Sequence, residues 1–134
     1  MQIDDGIYLC TAQNVVIALD ADTGEERWRM DPENKTPPYS LLGNCRGVTY
    51  YQLPESDSEK ICSERIFTAT TDARLIAMDK ETGQACEDFG EKGQISLLAG
   101  MGEVKPMYYF VTSPATVASG ALVVGGWVAD NQEV

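Results

Sequence analysis

Two stretches decide the fold: Val16-Ile17-Ala18-Leu19-Asp20-Ala21-Asp22-Thr23-Gly24 and Leu75-Ile76-Ala77-Met78-Asp79-Lys80-Glu81-Thr82-Gly83. Aligned at an offset of 59 residues, they agree at five of nine positions: Ile, Ala, Asp, Thr and Gly. Ile7 and Ile66 share that offset, as do Thr11 and Thr70. In each copy a β-favouring apolar run ends in Asp-x-x-Thr-Gly. Asp accepts hydrogen bonds from the backbone two and three residues on, and Gly tolerates positive φ, so the pattern reads as a strand and a tight turn. Short strands repeated about one turn predict β-propeller blades.

Outward from these copies, the chain reads as strands and turns. Gly6–Thr11 and Arg65–Thr70 are the preceding strand runs, and Glu25–Met30 is a half-exposed strand after the first turn. Blade repeats are thus expected near 6–30 and 65–89, with further blade strands within 112–129. There Thr116–Ala118 and Ala121–Val124 flank a Ser119-Gly120 turn. Two spans read as loop excursions: 31–63, with Pro32, Pro37, Pro38, Pro54 and a polar run over 55–60, and 90–105, with four glycines. No segment holds a 3.6-residue period with caps. The prediction is all-β, antiparallel, two to three blades of a propeller.

The 134 residues carry 10 Lys+Arg against 21 Asp+Glu, a net charge of −11, with no histidine. The acidic balance argues against nucleic acid and anionic membranes. Without histidine the chain alone cannot build a Ser-His-Asp triad, a Cys-His dyad or a Cys2His2 zinc site. The longest apolar run, 121–129, is far short of the ~20 residues of a spanning helix. Met1-Gln2-Ile3-Asp4-Asp5 has no signal-peptide character. The strand-like C-terminal end suggests a piece of a larger protein. Cys10, Cys45, Cys62 and Cys86 form no C-x-x-C pair. They allow two disulfides in any of three connectivities, or buried thiols. Asn34-Lys35-Thr36 is a glycosylation sequon by pattern alone.

Ala18-x-Asp20-x-x-Thr23-Gly24-x-x-x-Trp28 resembles the tryptophan-docking repeat of quinoprotein dehydrogenases. These are eight-bladed propellers that bind pyrroloquinoline quinone (PQQ). In the second copy Glu87 stands at the Trp position. Three more segments carry the resemblance: Asn44-Cys45-Arg46-Gly47-Val48, Leu75 through Gly90, and Tyr109–Pro114 followed by Val123–Asn131. Together they look like the membrane-bound glucose/quinate/shikimate branch.

The resemblance implies roles residue by residue. Arg46 would contact a quinone oxygen or carboxylate of PQQ, for which a guanidinium is a good bidentate donor. Thr112 would hydrogen-bond the cofactor. Asp130, with Asn131 beside it, would ligate Ca2+ or Mg2+, which take oxygen donors. Trp127 either stacks on the cofactor or closes a blade. Leu42 stands where the glucose branch has a histidine, which favours quinate, shikimate or another polyol over glucose. The vicinal disulfide of the methanol and ethanol branch is absent, because Cys45 has Asn44 and Arg46 as neighbours. No catalytic base is expected within these residues. The implied parent oxidises a sugar or polyol at the periplasmic face of the inner membrane and passes electrons to ubiquinone. The rival expectation is a non-catalytic propeller module for protein interaction. Exposed blade edges would in either case favour self-association.

Overall fold

A computed structural model describes residues 1–35, 44–54 and 60–129. They form twelve short strands and no helix, and none of them makes a helix long and apolar enough to cross a membrane. The first sheet is an antiparallel meander of β1 (Gln2–Ile3), β2 (Gly6–Cys10), β3 (Val16–Asp20) and β4 (Glu26–Met30). The second repeats it with β5 (Thr49–Gln52), β6 (Glu64–Ala69), β7 (Arg74–Asp79) and β8 (Gln94–Ser96). A third unit follows. Here β9 (Tyr109–Phe110) pairs with β12 (Trp127–Val128), and the hairpin of β10 (Thr116–Ala118) and β11 (Ala121–Val123) lies between them in sequence. Four-stranded meanders laid side by side are propeller blades.

The two Asp-x-x-Thr-Gly turns are near copies. Asp20 Oδ1 accepts from the backbone N–H groups of Asp22 and Thr23 and from the Thr23 hydroxyl, at 2.9–3.1 Å. Asp79 Oδ1 does the same for Glu81 and Thr82, at 2.8–3.1 Å. Gly24 and Gly83 have φ of 74° and 70°, and each N–H returns to the Asp carbonyl at 2.9 Å. The β2–β3 and β6–β7 loops are copies too. The Thr11 and Thr70 hydroxyls accept from Val15 and Arg74 N–H, and Asn14 and Ala73 hold the positive-φ position. The Ser119-Gly120 turn has φ of 48° and 77° at its two central residues, which suits a two-residue hairpin.

Trp28 joins the first two blades. Its indole N–H donates to the Lys80 carbonyl at 2.9 Å. Its ring covers Gly83, where an added Cβ would lie 2.6 Å from Trp28 Cε3. Between these sheets Tyr8, Val16, Ala18 and Trp28 pack against Ile66, Ile76 and Met78. The other face of the second sheet (Phe67, Ala69, Leu75, Ala77) packs against Val111 and Ala115 of the third unit. The central sheet is therefore covered on both sides. Hence β6 and β7 are buried almost throughout, whereas β2 and β3 alternate buried and half-buried residues.

The structure corrects two spans read as loop. The 31–63 excursion contains β5, and the 90–105 excursion contains β8. Thr49-Tyr50-Tyr51-Gln52 has strong β propensity that the surrounding prolines masked. The three residues of β8 are too few for a period, and pairing to β7 is what defines them. The second blade thus runs from β5 to β8, beyond 65–89 at both ends. The cysteines pair as Cys10–Cys45 and Cys62–Cys86. The sequon's Asn34 amide donates to Asn14 Oδ1 at 2.6 Å and Thr71 Oγ1 at 2.7 Å, so this side chain serves an inter-blade contact.

Candidate cofactor-binding site

Arg46 and Thr112 are far apart in sequence and adjacent in space. The Arg46 N–H donates to the Thr112 carbonyl at 2.9 Å. The contact extends on both sides of that bond. Gly47 faces Pro114, and a Cβ added at Gly47 would lie 3.6 Å from Pro114 Cγ. The buried Thr49 hydroxyl donates to the Ala115 carbonyl. Residues 46–49 thus run along 112–115, and the lead-in to the second blade is knitted to the third unit. Cys45, just before Arg46, is bonded to Cys10 at the end of β2 in the first blade.

The polar ends at this junction are open. The exposed Arg46 guanidinium has no ion pair or hydrogen bond among the described residues, and the half-buried Thr112 hydroxyl has none either. Elsewhere the described arginines Arg27, Arg29, Arg65 and Arg74 are each paired with a carboxylate. A cationic fork and a hydroxyl left without partners can engage an anionic ligand bidentately.

Trp127 lies on the neighbouring strand pair. It sits opposite Phe110, two residues before Thr112, with ring centroids 4.8 Å apart and planes tilted by 36°. Trp127 remains 40% exposed, so part of it packs on Phe110 and the rest is open to solvent. Gly126 is required here, because a Cβ would fall 2.0 Å from the Tyr109 ring.

Arg46, Thr112 and Trp127 therefore occupy one region around the start of the third unit. Asp130, Asn131 and Leu42 lie outside the described residues. Among the described residues no group of three or more His, Cys, Asp or Glu could hold a metal ion. An open cleft of about 390 Å³ lies beside the β6–β7 loop, lined by Thr71, Asp72, Lys105 and Tyr109 among others, and none of the three predicted residues lines it. Chemistry ranks the Arg46 region above that cleft. Sequence reasoning missed Cys10 as the tether of Cys45 and Phe110 as the support of Trp127. The cysteine count left the pairing open, and the aromatic pair is a register effect between strands distant in sequence.

All of residues 1–134 match the family model described as PQQ: glucose/ethanol/alcohol dehydrogenase, beta-propeller domain. The chain belongs to that family. It is similar to the glycerol dehydrogenase large subunit of Gluconobacter oxydans, 39% identical over 132 residues, covering 98% of this chain and 18% of that protein. It is also similar to the quinoprotein glucose dehydrogenase of Escherichia coli, 39% identical over 135 residues, covering 98% and 17%. A probable quinate dehydrogenase (quinone) of Xanthomonas campestris is 40% identical over 143 residues, covering 94% and 18%. The chain thus spans about a fifth of the length of these relatives. The crystal structure of a quinohemoprotein alcohol dehydrogenase from Comamonas testosteroni superposes with a TM-score of 0.65 at 21% identity, over 96% of this chain and 17% of that one. That likeness is one of fold, and the fold is a β-propeller.

Proposed function

We propose that the protein containing this chain is a PQQ-dependent dehydrogenase that oxidises a sugar or polyol and passes the electrons to ubiquinone. The observation that carries the reading is the Arg46–Thr112 contact. It unites two predicted cofactor residues at one point, with both polar ends unpartnered among the described residues. A propeller used only as a scaffold has no need of such a pair.

Bound PQQ would supply the hydride-accepting ortho-quinone. The rest falls to the protein. The Arg46 guanidinium binds a carboxylate or quinone oxygen of the cofactor. The Thr112 hydroxyl donates a hydrogen bond to it, and the Trp127 indole stacks on its plane. Asp130 and Asn131 would supply oxygen donors to a Ca2+ or Mg2+ ion, which would serve as a Lewis acid beside the cofactor. The base that takes the hydroxyl proton lies on a later blade.

On the substrate side, Leu42 offers no donor or acceptor where the glucose branch has histidine. We therefore favour glycerol-like polyols or quinate and shikimate over glucose. Relatives named for glycerol, glucose and quinate are about equally similar, at 39%, 39% and 40% identity, so the order rests on Leu42 alone. The parent works at the periplasmic face of the inner membrane. The exposed Val123 and Val128 offer an apolar surface for self-association of this chain.

The test is Arg46→Ala in the full-length protein. The Kd for PQQ should rise about tenfold or more, as expected for loss of a charge-assisted hydrogen bond. Wild-type affinity and turnover in that variant would overturn the assignment and leave the scaffold reading. Turnover on glycerol, quinate and glucose then orders the substrates.

A further inference from the structure

Arg46 combines an anchored backbone with an exposed side chain. Cys45 is bonded to Cys10, with Cα atoms 6.0 Å apart, which ties it to the first blade. Cys45 Sγ also lies 3.9 Å from the Thr68 hydroxyl on β6 of the second blade. The Arg46 N–H is bonded to Thr112 in the third unit. Within two residues the chain thus touches both blades and the third unit. The guanidinium meanwhile is exposed and unpaired among the described residues. A ligand that captures such a side chain must order whatever backbone and rotamer freedom remains. Holding the backbone beforehand leaves only the rotamers.

The second disulfide is placed differently. Cys62 and Cys86 are 7% and 0% exposed, inside the core between the second and third sheets. The Cys62 N–H donates to Asp79 Oδ2, so that bond serves the second blade's own turn. Cys10 and Cys45 are only half-buried. The two crosslinks are therefore separable in position and in access to reagents.

We propose that the Cys10–Cys45 disulfide is a positioning device for cofactor recognition: it holds the Arg46 backbone where its guanidinium meets an anionic ligand. This rests on the reading of Arg46 as a PQQ contact. Cys10 and Cys45 touch no cofactor themselves and act through Arg46.

The experiment is a fluorescence titration of the full-length apoprotein with PQQ in the presence of Ca2+, alongside the melting temperature of each variant. Cys10→Ser/Cys45→Ser should raise the Kd about tenfold, the size expected when one backbone residue must be ordered on binding. Cys62→Ser/Cys86→Ser should lower the melting temperature and leave the Kd unchanged. In an Arg46→Ala background, removing Cys10–Cys45 should shift the Kd by less than about twofold, because the two act as one unit. A folded Cys10→Ser/Cys45→Ser protein with wild-type Kd overturns the proposal, as does a full tenfold loss that persists without Arg46. An unchanged Kd in Arg46→Ala alone sinks the cofactor reading, and this proposal with it.

If the serine pair does not fold, folded wild-type protein is treated with dithiothreitol. The dithiol gives two electrons and two protons to the accessible Cys10–Cys45 bond and closes into its own cyclic disulfide. Alkylation and mass spectrometry then locate the freed thiols. The same rise in Kd is expected, and an unchanged Kd overturns the proposal.

Discussion

Asn14 shows how much a single buried amide can hold. It is fully buried with φ 66°. Its Nδ2 donates to the Ala69 carbonyl, while its Oδ1 accepts from the Thr71 N–H, the Thr71 hydroxyl and the Asn34 amide. Asparagine suits both demands, since it tolerates the left-handed region and presents donor and acceptor together. Asn14→Ala leaves buried groups of the second blade unpaired. It should cost about 2–4 kcal/mol, read from the urea midpoint, with the size set by desolvated polar groups and not by lost volume.

At the scale of the element, the two turn copies make a paired test. Both glycines are left-handed, but only Gly83 lies beneath an indole. A Cβ at Gly83 meets Trp28 at 2.6 Å, whereas one at Gly24 finds nothing within 4 Å. Gly24→Ala should therefore cost only the conformational penalty, about 1 kcal/mol. Gly83→Ala must also displace Trp28 and should cost about 2–4 kcal/mol. Chemical denaturation of both variants checks this. Equal losses would mean that the Trp28–Gly83 contact does not tie the blades.

Across the whole molecule, Lys80 is the charged counterpart of that tie. Its Nζ reaches Asp4 of the first blade at 3.0 Å and Glu64 and Glu81 of the second at 3.0 and 3.2 Å, with only 6% of the side chain exposed. Burial pushes its pKa down, but the three carboxylates together outweigh burial and hold it above the usual lysine range. Nearby Tyr50, bonded to Glu64, is pushed up to about 12 by burial and then by that carboxylate. Both pKa values are raised on folding. The associated stability is present below their ordinary values near pH 10 and is lost as the pH rises through the folded ones. Lys80→Met should cost about 1–2 kcal/mol at pH 7, less than a fully buried pair because Asp4 and Glu81 are exposed. It should also flatten the fall in stability above about pH 10. Urea midpoints at pH 7, 9 and 10.5 measure both effects, and an unchanged alkaline slope would exclude Lys80 as the group responsible.

Much of the local structure was legible in the residues. Asp20-x-x-Thr23-Gly24 and Asp79-x-x-Thr82-Gly83 determined their own turns, because the bonds that close them, to Asp Oδ1 and from the Gly N–H, span at most four residues. The Ser119-Gly120 hairpin and the apolar runs of β3 and β7 were local for the same reason. Arg46, Thr112 and Trp127 were nameable from motif context. β5 was hidden by the prolines around it, and β8 is a strand through its pairing to β7 and not its own composition.

Tertiary structure alone decided three things. It chose one disulfide connectivity of three, because sulfurs pair according to which Cα atoms the blades bring within about 6 Å. It covered the second sheet on both faces and left Trp127 partly bare. And it set Arg46 against Thr112 through a backbone bond between residues 66 positions apart, which no local pattern encodes. The sequence by itself determined what short-range hydrogen bonding and side-chain periodicity can specify. Packing of one blade on the next determined the rest, because contacts between distant residues exist only once the sheets have stacked.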